Sequence, residues 1–186
     1  MREIIDYLGF KSYKILFWLC VLILAFHAKY NLLFVYVLFY YLCVGVVKIL
    51  KPFLRSPRPP AAAENSRPGS LPFLKFPPYL REDLSGSVEK WGMPSGHASS
   101  TLYSILFMWW AGGSLTGLKR DAEFAFFVFA YFVAAAMFYQ RWWYEKHTIG
   151  QLFFGAVLGA SFGYFAVWVF KRLQDGGGTG AAGAAR

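Results

Sequence analysis

Five apolar runs, separated by polar or proline-rich stretches, make up most of this chain. They cover residues 15–28, 32–50, 97–115, 123–139 and 148–170. A membrane-spanning helix needs about 20 consecutive, mostly apolar residues, and the later runs approach this length. The run 15–28 is shorter, so Tyr13 and the stems of Lys14 and Lys29 have to extend it to the two interfaces. The pattern predicts an all-α membrane bundle of about five transmembrane helices, in a single domain over 1–170.

The polar stretches between and after these runs are predicted to lie outside the membrane. All nine prolines fall between Pro52 and Pro94. Because proline disrupts helix interiors, we interpret 51–94 as a long extramembrane loop with interfacial pieces at 71–80. The chain end, 171–186, is rich in glycine and alanine and is predicted to be a flexible tail.

The last two runs carry further signals about packing and about the membrane interface. Between them, 140–147 is predicted to be an interfacial connector, because its aromatic side chains suit the headgroup layer. Gly155, Gly159 and Gly163 follow at four-residue spacing. Small residues at this period allow two helices to approach closely within a bilayer, so this face is predicted to pack against a neighbouring helix.

Composition supports a membrane protein and excludes some function classes. The chain is 57% hydrophobic and 21% aromatic, with a mean hydropathy of +0.39, and a soluble domain would leave much of that surface exposed. The net charge of +9 is interpreted as basic residues at membrane edges. No basic face is separable from the apolar segments, so nucleic acid is not expected as a partner. Cys20 and Cys43 lie in apolar runs, which indicates packing rather than a disulfide or a metal site.

The third apolar run begins at a sequence typical of a helix start. Ser95 is a favoured N-cap residue, and Pro94 fixes φ near the value that a first turn needs. The amides and the dipole at a helix N-terminus attract anions, and Gly96 has no Cβ to keep a ligand from the backbone. His97 would stand beside a bound anion as a proton donor or a nucleophile. We therefore expect an anion site here.

Five alternating spans would bring three distant segments to one face of the membrane. The loop after the second run supplies Lys51 and Arg58, and the connector supplies Arg141 and His147, both beside the helix start. Guanidinium groups match phosphate oxygens, and of the two histidines one can attack phosphorus while the other protonates the leaving oxygen. Neither histidine has a second ligand at helical spacing, so we expect no metal and no cofactor.

Three short motifs in this region resemble the signature of the type 2 phosphatidic acid phosphatase (PAP2) superfamily in order and in spacing. They are Lys51 with six residues before Arg58-Pro59, then Pro94-Ser-Gly-His97, then Arg141 with five residues before His147. The resemblance implies that His147 is the nucleophile that forms a phosphohistidine and that His97 is the general acid. It also implies which residues hold the phosphoryl group: Lys51, Arg58, Ser95, Gly96 and Arg141. That family uses no metal.

Two positions depart from the common pattern of that superfamily. Gln140 stands where a serine usually precedes the arginine, and Gln151 stands where an aspartate usually follows the nucleophilic histidine. The dolichyl diphosphatases resemble this chain here, because their third motif reads His-Thr-x-x-Gln, as 147–151 does, and their second is similar to 92–98. Gln151 lies one helical turn after His147, so we expect its amide oxygen to accept the Nδ1–H of His147 and to fix the tautomer.

This resemblance implies hydrolysis of a polyprenyl (dolichyl) diphosphate to the monophosphate and phosphate, which recycles the glycan carrier lipid for protein N-glycosylation. Two alternatives stay open. One is a phosphatase acting on other lipid phosphates, such as phosphatidate or undecaprenyl diphosphate. The other is a lipid-binding membrane bundle without catalysis.

The side of the membrane on which the site lies is predicted differently by charge and by resemblance. Of the 19 Lys and Arg residues, 13 fall on the catalytic face of a five-span bundle, and the positive-inside rule then favours the cytosol. Lys51, Arg58 and Arg141, however, serve the chemistry whichever way they face. The resemblance implies a site that faces the lumen of the endoplasmic reticulum, and this is the orientation we expect.

Overall fold

The computed structural model of this protein describes residues 2–59 and 91–178. Five α-helices follow one another there: α1 (Arg2–Phe26), α2 (Tyr30–Leu54), α3 (Gly96–Thr116), α4 (Arg120–Trp143) and α5 (Ile149–Gly178). The described residues form no strand beyond one isolated bridge. The prediction of an all-α bundle is therefore confirmed, whereas the interfacial pieces predicted at 71–80 lie outside the described residues.

Four of the five helices, α1, α2, α4 and α5, are long and apolar enough to cross a membrane. The protein is therefore an integral, multi-pass membrane protein. Among the described helices, α3 is the one that is not apolar enough to qualify as a membrane-spanning helix. The sequence had predicted that 97–115 spans the membrane. The polar side chains of α3 explain the difference, and they are buried inside the bundle rather than turned to lipid: Ser99, Ser100, Thr101 and Ser104.

Helix α3 packs most extensively against α5, through the glycines of α5. A Cβ on Gly155 would lie 2.5 Å from the backbone oxygen of Ser95, and one on Gly163 would lie 2.9 Å from the backbone nitrogen of Phe107. A Cβ on Gly159 would overlap the carbonyl group of Ser99. The predicted close packing at this glycine face is confirmed, and it brings the N-terminus of α5 beside the N-terminus of α3.

Helix α1 is longer than its apolar run, because its polar residues bond to other helices. It begins at Arg2 instead of near residue 15. The Thr101 hydroxyl donates to Ser12 Oγ at 3.2 Å, and the Tyr144 hydroxyl donates to Asp6 Oδ2 at 2.8 Å. From hydropathy alone, such polar residues indicate the end of a membrane span. Here they are buried and hydrogen-bonded to side chains of other helices, so the helix includes them.

The ends of two later helices also differ from the prediction. Helix α4 continues through Trp143, so residues 140–143, half of the predicted connector, belong to its last turn. Helix α5 continues through Gly178, so the predicted tail, 171–186, is helical over its first eight residues. The guanidinium group of Arg172 lies 5.6 Å from the ring centre of Trp168, one turn earlier, which favours this extension. Residues 179–186 lie outside the described part.

Aromatic residues and both cysteines fill the interior between α1, α2 and α3. The hydroxyl groups of Tyr36 and Ser104 are 2.8 Å apart, and the Tyr103 hydroxyl donates to the carbonyl oxygen of Tyr36 at 2.8 Å. Cys20 and Cys43 are buried and free, as their interpretation as packing residues predicted. These contacts hold α2, and with it Lys51, beside the start of α3.

Candidate active site

The first motif lies where α2 ends and the chain turns back towards α3. Lys51 is buried in the last turn of α2. Arg55 ends the helix in the left-handed region, with its N–H donating to the Lys51 carbonyl oxygen at 3.1 Å. Beyond it, the N–H of Gly92 donates to the Ser56 carbonyl oxygen at 2.9 Å. The segment that leads to Arg58 is thus held against the segment that leads into α3.

The second motif starts α3 in the way its sequence predicts. Ser95 is the N-cap residue, and its Oγ accepts from the N–H of Ala98 at 3.5 Å. Next to it, Gly96 is not tightly packed, because an added Cβ would meet only Val47 Cγ1, at an ordinary contact distance of 3.7 Å. The first turn of α3 therefore has room for an anion at the positive end of the helix dipole.

The third motif joins the end of α4 to the start of α5. Arg141 is buried in the last turn of α4, and His147 is buried just before α5. The Nη2 group of Arg141 contacts Nε2 of His97. An arginine is always protonated and can only donate, so Nε2 of His97 accepts here. In this arrangement the proton of a neutral His97 is on Nδ1.

The charges around His147 are positive. Burial lowers the pKa of His147 well below its ordinary value of 6.5, and the charges of Arg58, Arg141 and Lys51 lower it further. The charges of these three side chains, which come from two different motifs, therefore act on the same imidazole. The lowered pKa keeps the imidazole neutral, which is the state that a nucleophile needs.

The side-chain amide of Gln151 makes hydrogen bonds that the sequence did not predict. Its Oε1 accepts from the N–H of Thr148 at 3.2 Å, and its own N–H donates to Thr148 Oγ1 at 3.2 Å. This reciprocal pair is a capping box, the sequence pattern Thr-x-x-Gln at a helix start. Nδ1 of His147 is buried, and hydrogen bonding by the Gln151 side chain raises the pKa of His147 against the larger lowering by burial and by the nearby cations. The amide oxygen also serves the helix start, and the role of Gln151 in fixing the tautomer of His147 stays a prediction.

The nitrogen end of the Gln151 amide links the third motif to the first. Nε2 donates to Ser56 Oγ at 3.0 Å and to the Pro57 carbonyl oxygen at 2.8 Å. The Gln151 carbonyl oxygen accepts from the N–H of Ser95 at 3.3 Å. Gly92 makes room for this residue, because an added Cβ would lie 2.5 Å from Oε1 of Gln151. One residue thus contacts all three segments of the site.

Sequence reasoning missed the aromatic side chains that α1 adds to the site. The rings of Tyr13 and His97 meet edge to face, with centres 4.7 Å apart. The guanidinium group of Arg141 lies 5.6 Å from the ring centre of Phe10, within the range of a cation–π contact. These residues precede the first apolar run and belong to no motif. The only sequence signal was the aromatic character of this short polar stretch.

An open cleft of about 450 Å³ leads to the histidine of the third motif. It is lined by Pro59, Trp142, Glu145, His147, Thr148, Ile149 and Gly150. Residues 2–59 and 91–178 contain no group of three or more His, Cys, Asp and Glu side chains able to hold a metal ion. Metal independence of the chemistry stays a prediction.

Five basic side chains from three segments thus meet at the end of a multi-pass membrane bundle, in an arrangement suited to binding a phosphate group. The model of the PAP2 superfamily matches residues 29–175, and the chain therefore belongs to the PAP2 superfamily. Membership implies phosphatase activity on lipid phosphates in general. Comparisons with curated proteins and with solved structures gave no match.

Proposed function

We propose that this protein hydrolyses a polyprenyl diphosphate, such as dolichyl diphosphate, to the monophosphate and inorganic phosphate. The observation that carries the proposal is the position of Lys51, Arg58 and Arg141 around His147, close to the open first turn of α3. Cations fixed in a buried site stabilise the charge that develops on a transferring phosphoryl group. Sequence 147–151 supports the diphosphate substrate, because it resembles the dolichyl diphosphatase motif.

In the first step, Nε2 of His147 attacks the terminal phosphorus atom and forms the P–N bond of a phosphohistidine. The bond from that phosphorus to the bridging oxygen breaks, and His97 donates a proton to this oxygen. Because Nε2 of His97 accepts from Arg141 in the unliganded site, Arg141 turns to the phosphoryl oxygens when substrate binds. His97 then binds a second proton, taken from the substrate phosphate or from solvent, and as the imidazolium it presents Nε2–H to the leaving oxygen.

In the second step, water attacks the phosphohistidine. His97, now neutral, takes a proton from this water, and the P–N bond breaks. Inorganic phosphate leaves, and His147 returns as a neutral imidazole. Ser95, Gly96 and the three cations hold the phosphoryl oxygens throughout, and neither step requires a metal or an organic cofactor.

The experiment is phosphate release by the purified, detergent-solubilised protein from a panel of lipids. The panel contains a polyprenyl diphosphate, its monophosphate, undecaprenyl diphosphate and phosphatidate. We expect the fastest release from the polyprenyl diphosphate and none in His147→Ala. His27→Ala is the matched control, because His27 lies at the opposite end of the bundle, against Gly117. Preference for phosphatidate would assign another lipid substrate, and no release from any lipid would favour a lipid-binding role.

We further propose that the site faces the lumen of the endoplasmic reticulum, where the released carrier lipid is recycled for N-glycosylation. Arg55 and Lys119 are exposed at opposite ends of the bundle. Single cysteines at these positions, with Cys20 and Cys43 replaced, can be labelled in sealed microsomes. We expect labelling at 119 without permeabilisation and at 55 only with it. The reverse pattern would place the site in the cytosol.

A further inference from the structure

Helix α1 supplies a buried carboxylate close to the third motif. Asp6 is 5% exposed, and its Oδ2 accepts from the Tyr144 hydroxyl at 2.8 Å. Tyr144 stands midway between Arg141 and His147 in sequence, and it is itself buried. The family match begins at residue 29, after α1 has ended, so neither the match nor any motif assigns a role to Asp6.

The connector that carries His147 is short. Helix α4 ends at its C-cap residue, Tyr144, and Glu145 then takes the left-handed conformation with φ of 51°. Backbone hydrogen bonds tie these residues to the last turn of α4: the N–H of Lys146 donates to the Arg141 carbonyl oxygen at 3.0 Å. The Tyr144 side chain adds an anchor from outside α4, in α1.

A hydrogen bond to a carboxylate is stronger and more directional than one between neutral groups. An apolar pair could fill the same volume, but it would not fix the direction of the Tyr144 ring. This direction sets how the backbone leaves α4, three residues before His147. A shift of about 1 Å in a catalytic group is enough to slow turnover by roughly a hundredfold.

Other residues of α1 contact the same site from the next turns of the helix. Phe10 lies under the guanidinium group of Arg141, and the ring of Tyr13 meets His97 edge to face. One helix therefore touches the proposed acid, the proposed phosphate-binding arginine and, through Tyr144, the connector of the proposed nucleophile. These contacts have different chemistry and lie on successive turns, so they support one another.

We propose that Asp6 is a positioning residue for His147, acting through Tyr144, and that α1 forms one wall of the active site. The proposal rests on the phosphatase function proposed above. It assigns no proton transfer to Asp6, which acts only by holding the Tyr144 hydroxyl. Asn can accept the same hydrogen bond, whereas Ala cannot.

The test compares wild type with Asp6→Ala, Asp6→Asn, Tyr144→Phe and the double variant Asp6→Ala with Tyr144→Phe. The first readout is kcat and KM on the lipid that wild type hydrolyses best. We expect kcat to fall about ten- to a hundredfold in Asp6→Ala and Tyr144→Phe, with KM changed less than threefold. Asp6→Asn should recover most of the loss. The double variant should be no slower than the slower single variant, because both substitutions remove one interaction.

Ser12→Ala is the matched control. It removes another buried hydrogen bond of α1, the one from Thr101, without touching the connector. We expect thermal stability to fall to a similar extent as in Asp6→Ala, with kcat unchanged. An equal loss of kcat in Ser12→Ala would show that α1 only stabilises the fold and would overturn the proposal. Wild-type kcat in Asp6→Ala, or losses that multiply in the double variant, would also overturn it.

A second readout does not depend on turnover. Diethyl pyrocarbonate modifies exposed neutral histidine, and mass spectrometry can follow its reaction at His147, which is 3% exposed. We expect modification several times faster in Asp6→Ala and Tyr144→Phe than in wild type or Ser12→Ala. Equal rates in all variants would overturn the proposal. If wild type hydrolyses no lipid phosphate, the proposed function fails, whereas this readout still decides whether Asp6 positions His147.

Discussion

The side-chain amide of Gln151 holds Ser56, with 3.0 Å between Nε2 and Oγ. This contact joins the first turn of α5 to the segment that carries Arg58. The same amide closes the capping box with Thr148 through its oxygen. Gln151 therefore holds two motifs together through the backbone and side-chain groups that it contacts.

Substitutions at Gln151 should separate its two hydrogen-bonding roles. Gln151→Glu keeps an oxygen for the N–H of Thr148, and glutamate is a standard capping-box residue. Its carboxylate would face the Pro57 carbonyl oxygen, so the contact with the first motif weakens. Gln151→Leu loses both contacts, at a cost of about 1 kcal/mol for the cap and about 1–3 kcal/mol for the groups left without partners. We expect the order of kcat and of thermal stability to be wild type, then Glu, then Leu.

Ser56→Ala is the control for the Gln151 variants, because it removes only one of the two contacts of Nε2. A loss near 1 kcal/mol of stability is expected there, with a smaller effect on kcat than in Gln151→Leu. Wild-type rates and stability in Gln151→Leu would mean that neither the cap nor the contact with the first motif matters to the enzyme.

The contacts of Gln151 and Arg141 show how much of this site could be predicted from the sequence. Alternation of spans predicted that Arg141 and Lys51 would approach His147, because topology alone decides which helix ends share a face, and both charges act on the His147 imidazole. The hydrogen-bond partners of the Gln151 side chain could not be predicted from the alternation of spans. An amide has an oxygen and a nitrogen, and the sequence does not show that the oxygen also caps the helix start at Thr148 while the nitrogen bonds to Ser56 and Pro57.

Replacement of Gly159 by alanine should strongly destabilise the bundle. The added Cβ would overlap the carbonyl group of Ser99, so α3 and α5 would have to separate, at a cost of about 1–3 kcal/mol. Gly45→Ala is the matched control, because an added Cβ at Gly45 meets nothing within 4 Å. That variant should be neutral or gain up to about 1 kcal/mol from helix propensity. Thermal unfolding in detergent measures both, and similar midpoints would contradict the packing.

Polar residues explain why the first helix was predicted less well than the glycine face. The spacing of Gly155, Gly159 and Gly163 has one common meaning in a bilayer, namely close packing. Asp6 and Ser12 lower the local hydropathy of α1, and their distant partners, Tyr144 and Thr101, cannot be read from nearby sequence. The helix start was therefore predicted too late, and the contribution of α1 to the site was missed.

His97→Ala should separate the two chemical steps proposed for the histidines. Without the general acid, phosphorylation of His147 should be slow with a lipid diphosphate but measurable with an activated leaving group that needs no proton. Trapping with a phosphate-labelled substrate at high pH detects the acid-labile phosphohistidine. His147→Ala should retain no such label. An acid-labile label in that variant would refute the assignment of His147 as nucleophile.

Excess chelator should leave turnover unchanged, and vanadate should inhibit it. Lys51, Arg58 and Arg141, together with the N-terminus of α3, supply positive charge for the phosphoryl group, and vanadate resembles the transition state of its transfer. Rates are measured after dialysis against chelator, with and without added Mg²⁺. Loss of activity that Mg²⁺ restores would contradict this expectation.

The pH profile should show an acidic limb below pH 6.5. Burial and the charges of Arg58, Arg141 and Lys51 lower the pKa of His147 below 6.5, so the neutral nucleophile persists as the pH falls through that value. The folded state then binds fewer protons than the unfolded state, and stability falls as the pH drops below 6.5. The profile of kcat/KM reports the free enzyme.

Arg58→Gln removes one positive charge, which raises the pKa of His147 and moves the acidic limb of the profile to higher pH. Arg55→Gln is the control, because Arg55 is exposed and its side chain donates to the Pro52 carbonyl oxygen. This variant should leave the acidic limb in place. A wild-type limb at or above pH 6.5, or equal shifts in both variants, would show that these cations do not set the protonation of His147.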